Sequence, residues 1–158
     1  MFSQSQLRVS CALWVAAALL ACSDDADDGG GAGNGSQPPA CLEPLDLDCA
    51  PTFAPTFEGF FDNQLSTTCG STGTGVSCHG PDGAQGELVL DDADTAYDQL
   101  LGPGTDGEPR VIPNDPECSP LIQRLESDDP TFVMPVGGKL SDGERCAVRQ
   151  WVANGAQR

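Results

Sequence analysis

Residues 69–80 read CGSTGTGVSCHG, and this stretch contains His79, the only histidine of the chain. His79 directly follows Cys78, and the next cysteine upstream is Cys69, which gives the spacing C-x8-C-H. The residues between the two cysteines are mostly Gly, Ser and Thr. A Gly-rich segment bends easily because glycine tolerates backbone angles that other residues avoid. The stretch therefore predicts a loop whose ends can meet.

A cysteine pair followed by histidine is the attachment pattern of c-type haem. Two thiols bond to the vinyl groups, and the imidazole after the second cysteine ligates the iron. The usual spacing is C-x2-C-H, but each doubling of a flexible loop costs only about 0.6 kcal/mol of closure entropy. Three alternatives follow: thioethers to Cys69 and Cys78, one thioether to Cys78, or a Cys69–Cys78 disulfide without haem. His79 is the candidate proximal ligand.

Met134 is the candidate distal ligand. It is the only methionine besides Met1, and it lies in the irregular sequence FVMPVGG of residues 132–138. A thioether presented from such a loop can reach the open face of a haem, and His/Met ligation suits electron transfer. The alternative is a methionine that fills a gap in the core.

The N-terminal region predicts export and lipidation. Residues 1–21 have one basic residue and an apolar run too short to form a stable membrane span, as in a signal peptide. The run ends LLAC at residues 19–22, which resembles a bacterial lipobox and makes Cys22 the candidate lipidated residue. Residues 22–40 form an acidic, Gly-rich linker that we expect to be disordered. The protein is therefore expected in the bacterial cell envelope, lipid-anchored at the outer membrane or periplasmic face.

Charge narrows the class of partner. The net charge is −17, and removal of the signal peptide takes Arg8 away and makes it more negative. Such a surface repels nucleic acid and anionic headgroups, and it attracts basic proteins. We expect a redox protein partner, with membrane contact only through the lipid.

Six cysteines stay in the domain expected over residues 41–158. Besides Cys69 and Cys78, the disulfide candidates are Cys41, Cys49, Cys118 and Cys146. Six cysteines allow 15 connectivities, so the sequence leaves the pairing open. Local closure favours Cys41 with Cys49, and a pair of Cys118 with Cys146 would join the last two helices.

Four helices are predicted, and the fold class is all-α. The first covers about residues 56–68 and delivers Cys69 at its end, because its large apolar residues recur at helical spacing. The second covers about residues 93–101, and the third begins with Ser119 as N-cap and ends before Pro130. Ser141 and Glu144 form a capping box for the fourth. Residues 88–90 are apolar, but no hairpin partner follows.

The ordered succession of short motifs resembles a small c-type cytochrome domain, of the kind found in myxobacterial lipoproteins and in planctomycete-type cytochromes. The motifs cover most of the mature domain: Cys78-His79-Gly80, Leu88-Val89-Leu90, Ala96-Tyr97, residues 110–116, Met134-Pro135 and residues 151–156. The resemblance implies a small cytochrome c-like helical domain with irregular loops. It also implies haem c linked to Cys69 and Cys78, with His79 proximal and Met134 distal.

Two functions remain open at this point. The first is a membrane-tethered, single-haem cytochrome that transfers electrons. The alternative is a haem-free, disulfide-stabilised surface lipoprotein module that acts in binding or structure. Catalysis is the weaker expectation, because the chain has one histidine and lacks the G-x-S-x-G and Gly-Lys signatures of hydrolases and nucleotide-binding proteins.

Overall fold

The computed structural model describes residues 40–70, 78–104 and 107–158. The predicted signal peptide, the lipidated Cys22 and nearly all of the linker lie outside these residues. Within the described ranges the domain is helical, and the β-structure consists of one isolated bridge between Pro103 and Pro109. The all-α prediction is therefore confirmed, and residues 88–90 form no strand. No helix in the described part of the chain is both long and apolar enough to cross a membrane.

The first helix begins as an α-helix and continues as a π-helix. Helix α1 spans Phe57–Phe60 and continues directly as a π-helix, π1, over Phe61–Cys69. The Thr56 side chain caps the start by accepting a hydrogen bond from Gly59 N. At the end, Gly70 N donates to Leu65 O over 2.6 Å, five residues back. The predicted helix therefore forms and reaches Cys69, but the wider π turn was not expected from 3.6-residue periodicity.

The other helices follow their capping signals. Helix α2 spans Ala93–Leu101, with the Asp92 side chain accepting from Thr95 N. Helix α3 spans Pro120–Glu126, and α4 spans Asp142–Ala153 behind the complete capping box of Ser141 and Glu144. A short 3-10 turn at Gln85–Glu87 was not predicted.

Ser119 is the N-cap residue of α3, as predicted. Ser119 does occupy the position before α3, but its side chain makes no capping bond. Its hydroxyl instead accepts from Ile112 N over 2.8 Å and donates to Asp115 O over 2.8 Å. The hydroxyl is fully buried between these loop residues, so it satisfies the loop backbone rather than the helix.

An aromatic cluster joins the first and last helices. The Trp151 ring on α4 lies 5.9 Å from the Phe57 ring and 5.8 Å from the Phe60 ring, centroid to centroid. Tyr97 on α2 meets Phe57 edge-on at 4.9 Å. Phe57, Phe60 and Trp151 are at most 2% exposed. Burial of each such side chain stabilises the fold by about 1.5–3 kcal/mol, so this cluster holds α1, and with it the start of π1, against α4.

Residues 40–56, the N-terminal strap, run over α3 and α4. Leu42 N donates to Glu117 O over 3.0 Å, and Thr52 N donates to Gly143 O over 3.1 Å. The Gln150 side chain donates to Leu47 O over 2.8 Å. These bonds hold the strap at both of its ends and at its centre.

The disulfide pairings expected from local closure are wrong. Cys41 pairs with Cys118, and Cys49 pairs with Cys146, across 77 and 97 residues of sequence. The reason is the path of the strap: Cys41 lies at the start of α3 and Cys49 lies against α4. Each cysteine therefore meets a partner in the helical domain rather than its neighbour in the strap, and the strap is covalently fixed at two points.

We expect the Cys49→Ala/Cys146→Ala double variant to lose about 2–5 kcal/mol of unfolding free energy, because a disulfide closing a long loop restricts the unfolded chain. Urea unfolding measures the loss, and Cys69→Ala, which removes a free thiol, is the control with the smaller effect. Non-reducing digestion at Asp and Glu should release a Cys41–Cys118 peptide; a Cys41–Cys49 peptide would contradict the observed pairing.

Candidate functional site

The backbone brings Cys69 and His79 together. His79 N donates to Cys69 O over 3.1 Å, which joins the end of π1 to the C-x8-C-H motif. His79 O accepts from Leu90 N over 2.7 Å, and Cys78 O accepts from Gln85 N over 2.8 Å. The residues that flank the eight-residue segment 70–77 therefore meet, although residues 71–77 lie outside the described ranges. The spacing in the sequence alone does not decide whether Cys69 and His79 meet.

Gly70 allows a close approach of two backbone segments. A Cβ at this position would lie 2.4 Å from the Leu90 carbonyl carbon and 2.6 Å from its oxygen. The Gly70 backbone is itself right-handed helical, with φ −99°, so the requirement for glycine comes from space and not from an unusual φ. Because Leu90 N is bonded to His79 O, Gly70 helps to set the position of His79.

The two cysteines of the motif differ in state. Cys69 has a free thiol and packs partly buried against the core. Burial raises the pKa of this thiol to about 11, so it stays protonated at neutral pH. Cys78 is disulfide-bonded, and its partner is not Cys69. The Cys69–Cys78 disulfide considered as one alternative is therefore not formed in this structure.

The His79 imidazole has a buried polar atom that is not satisfied. Its Nδ1 atom has no hydrogen-bond partner among the described residues. Burial lowers the pKa of His79, hydrogen bonding to the backbone of Gln85 and Leu88 opposes that shift, and the positive charges of Arg124 and Arg110 lower the pKa further. The ring is therefore held in its neutral form, which is the form that ligates metal.

The residues present fit a covalently attached haem. A buried imidazole nitrogen without a partner costs about 1–3 kcal/mol, and binding of the ring to a ligand is one way to recover that energy. Neutral imidazole, a neighbouring thiol at Cys69 and a thioether at Met134 are the donor types of a c-type site. Cys78 would contribute its sulfur in the reduced state.

Met134 is positioned separately, by α3. Met134 N donates to Arg124 O over 3.1 Å, and the side chain is half-buried. The Arg124 guanidinium lies 4.5 Å from the centre of the Phe132 ring and donates to Phe132 O over 3.3 Å. The loop before α4 is thus attached to the last turn of α3, beside the arginine whose charge reaches His79.

Sequence analysis included Arg110 in the motif at residues 110–116 but assigned no site role to Arg110 or Arg124. Arg110 donates from Nη2 to Gly86 O over 2.7 Å and from Nη1 to Gln99 O over 3.4 Å. Arg124 lies beside the Met134 loop as described. The signals that could have identified them are the position of Arg110 in that motif and the contrast of both positive charges with an acidic chain.

Comparison with known families gives one match. Residues 76–136 match the family described as Planctomycete cytochrome C. The matched range contains Cys78, His79, Arg110, Arg124 and Met134, and it begins after Cys69. A search of curated proteins found no match to the chain. The resemblance drawn from the motifs is therefore confirmed for these residues.

We expect Gly70→Ala to destabilise the domain by about 1–3 kcal/mol, as overpacking does, because the added methyl group must displace the Leu90 backbone. Gly138→Ala is the matched control, since a Cβ there meets nothing within 4 Å. Urea unfolding of both variants measures the difference. Equal stabilities of Gly70→Ala and Gly138→Ala would show that the close approach at Leu90 does not constrain the fold.

Proposed function

We propose, on the premise that residues 76–136 are a small cytochrome-c-like domain of planctomycete type, that the protein is a single-haem c-type cytochrome that transfers electrons. The observation that supports this function best is the hydrogen bond from His79 N to Cys69 O over 3.1 Å. It puts a cysteine beside the Cys78-His79 pair in spite of the long spacing. A c-type haem requires nearness of the two sulfurs in space and not a fixed number of residues between them.

Four residues would hold the haem. Cys69 and Cys78 would bond to it through sulfur, His79 would ligate the iron on one side and Met134 on the other. The bound haem supplies an iron that accepts and gives up one electron. The chain contributes the neutral imidazole, the protonated Cys69 thiol and the attachment of the Met134 loop to α3. Attachment would add each S–H across a vinyl group, so both cysteines must be thiols, and an external dithiol reductant would have to reduce the Cys78 disulfide first.

The acidic composition and the lipobox support a tethered carrier with a basic redox partner. Cys22 would carry the lipid at the bacterial envelope, and a Gly-rich linker of this length spans about 20–25 Å on average. That reach would hold the domain clear of the headgroups, while the acidic chain, with a net charge of −17 over its whole sequence, attracts a basic protein. Attraction of this kind weakens as salt is added. A rate of electron exchange with the partner that does not change with salt concentration would count against it.

A haem-free module is the second candidate, and specific observations favour it. Two disulfides fix the N-terminal strap to the helical domain, and Cys78 is disulfide-bonded as well. Disulfides can supply stability that a small domain otherwise draws from a large buried cofactor. In this case the protein would act in binding or in surface structure.

The two candidates are separated by a reduced pyridine haemochrome spectrum combined with the intact mass of the mature full chain. We expect a haemochrome band and a mass that includes one haem, together with a diacylglyceryl group on Cys22. Cys69→Ala should shift the band toward that of a haem with one thioether, since one vinyl group is left unreacted. A chain without haem in which the Cys41–Cys118 and Cys49–Cys146 disulfides are intact would establish the haem-free module instead.

Met134→Ala tests the distal ligand. We expect the reduction potential to fall and the iron to bind added small ligands such as imidazole, because the variant loses the thioether that favours reduced iron and fills the sixth position. Visible spectroscopy with a redox titration measures both effects. Val136→Ala, which shortens an exposed side chain of the same loop, is the control. A Met134→Ala spectrum and potential like those of the wild type would exclude Met134 as ligand.

A further inference from the structure

The Met134 loop, residues 127–141, connects the end of α3 to the start of α4. These described residues form no helix or strand, so the position of Met134 depends on how the loop is held. The middle of the loop is attached to α3, since Met134 N donates to Arg124 O over 3.1 Å. The two ends of the loop are bridged from α4, by the side chain of Arg145.

Arg145 contacts both ends of the loop through one guanidinium group. Its Nε donates to Glu126 Oε2 over 3.1 Å, at the last residue of α3. Its Nη1 donates to Leu140 O, and its Nη2 donates to the Asp142 carboxylate. The residue before the loop and the residues at its end are therefore bonded to the same planar group. Because the N–H donors of arginine have a fixed geometry, these contacts set the distance between the two ends.

The Arg145 contact is shielded from water, whereas the other ion pair across the loop is not. The side chains of Arg145 and Glu126 are 12% and 13% exposed. Lys139 also bridges the loop, to Asp128 over 2.6 Å, but the Asp128 side chain is 96% exposed. Exposed ion pairs contribute little because water and salt screen them, and charged hydrogen bonds away from water contribute more. Arg145 is therefore the stronger of the two connections.

Arg149 provides an internal comparison for Arg145. Its Nε donates to Glu126 Oε1 over 2.6 Å, and its side chain is 10% exposed, so it pairs with the same carboxylate at similar burial. Its Nη1 donates to Asp46 O in the N-terminal strap over 3.3 Å. Within the described ranges Arg149 makes no hydrogen bond or ion pair to the Met134 loop. The two arginines share Glu126 and differ in the second segment that they hold.

We propose that Arg145 is a positioning residue for Met134, which clamps the two ends of the Met134 loop and so keeps the thioether in place as the distal ligand. The inference rests on the proposed function, since that function gives Met134 its role. A loop whose ends are joined has less conformational freedom than one whose ends are free. Moving Met134 away from its place is therefore more costly while the clamp holds.

Loss of the clamp should make the sixth position of the iron easier to occupy. Added imidazole can bind there only while Met134 has moved away, so its apparent affinity rises with the fraction of open loop. Arg145→Gln removes the charged donors but leaves Glu126 paired with Arg149. The variant therefore frees the loop ends without leaving a buried carboxylate unpaired.

Hydrogen exchange of the full-length protein tests the clamp itself. In Arg145→Gln we expect the amides of Met134 and Val133 to exchange about tenfold faster than in the wild type, because a charge-assisted hydrogen bond at the loop end is lost. These amides donate to Arg124 O and Asp129 O, so they report loop opening. Arg149→Gln is the matched control, since it removes the same charge and the same partner of Glu126, and it should leave both rates close to those of the wild type.

Imidazole titration of the full-length haem-loaded protein tests the consequence for Met134. We expect Arg145→Gln to bind imidazole about tenfold more tightly than the wild type, in proportion to the larger open fraction of the loop. Arg149→Gln should bind imidazole like the wild type. Met134→Ala gives the upper limit, because its sixth position is open at all times.

Equal effects of Arg145→Gln and Arg149→Gln would show that both arginines act through Glu126 on stability alone, and would overturn the proposal. A change in only one of the two measurements would also overturn it, because loop opening and access to the iron would then be separate. Where Arg145→Gln does not accumulate, Arg145→Lys decides, since lysine keeps the charge but lacks the fixed fork of donors. Tighter imidazole binding than in the wild type supports the clamp, and wild-type binding refutes it.

The same experiments separate this inference from the proposed function. A wild-type protein that carries no haem would refute the proposed function and, with it, the ligand role that the clamp serves. Haem-loaded variants that all behave like the wild type would refute the inference alone.

Discussion

The packing of Trp151 against Phe57 and Phe60 is the contact on which the rest of the domain depends. It joins the capped last helix to the first helix, with ring centroids 5.8 and 5.9 Å from the indole. The first helix then continues as a π-helix to Cys69. Because aromatic rings in a close-packed core have few alternative arrangements, this contact determines where the chain delivers Cys69. The candidate haem site therefore begins with hydrophobic packing rather than with the motif itself.

The absence of a side chain at Gly70 then allows Cys69 and His79 to come together. Gly70 lets the end of π1 approach the Leu90 backbone, and Leu90 in turn holds the carbonyl oxygen of His79. The His79 N–H is held by the Cys69 carbonyl oxygen. Cys69 can therefore lie near the Cys78-His79 pair although eight residues separate the two cysteines. The backbone hydrogen bonds that bring them together involve residues outside the loop.

Covalent and ionic contacts are distributed unevenly over the domain. The strap is joined to α3 and α4 by two disulfides, and Glu126 pairs with both Arg145 and Arg149 on that same side. Around His79 the described residues contribute a free thiol, an unpartnered imidazole nitrogen and two arginines without carboxylate partners. The strap, Glu126 and its arginine partners are thus joined to one another, while the residues around His79 retain groups that a cofactor could use.

The sequence by itself determined the helices, because their signals are local. Ser141 caps α4 as its capping box predicts, α2 spans the predicted residues 93–101, and the ordered motifs carry the family resemblance without reference to any tertiary contact. Tertiary structure alone decided the π form of the first helix, the pairing of Cys41 with Cys118 and of Cys49 with Cys146, and the placement of Arg110 and Arg124. These features depend on residues far apart in the chain that meet only when the core packs, and neither periodicity nor spacing encodes such distances.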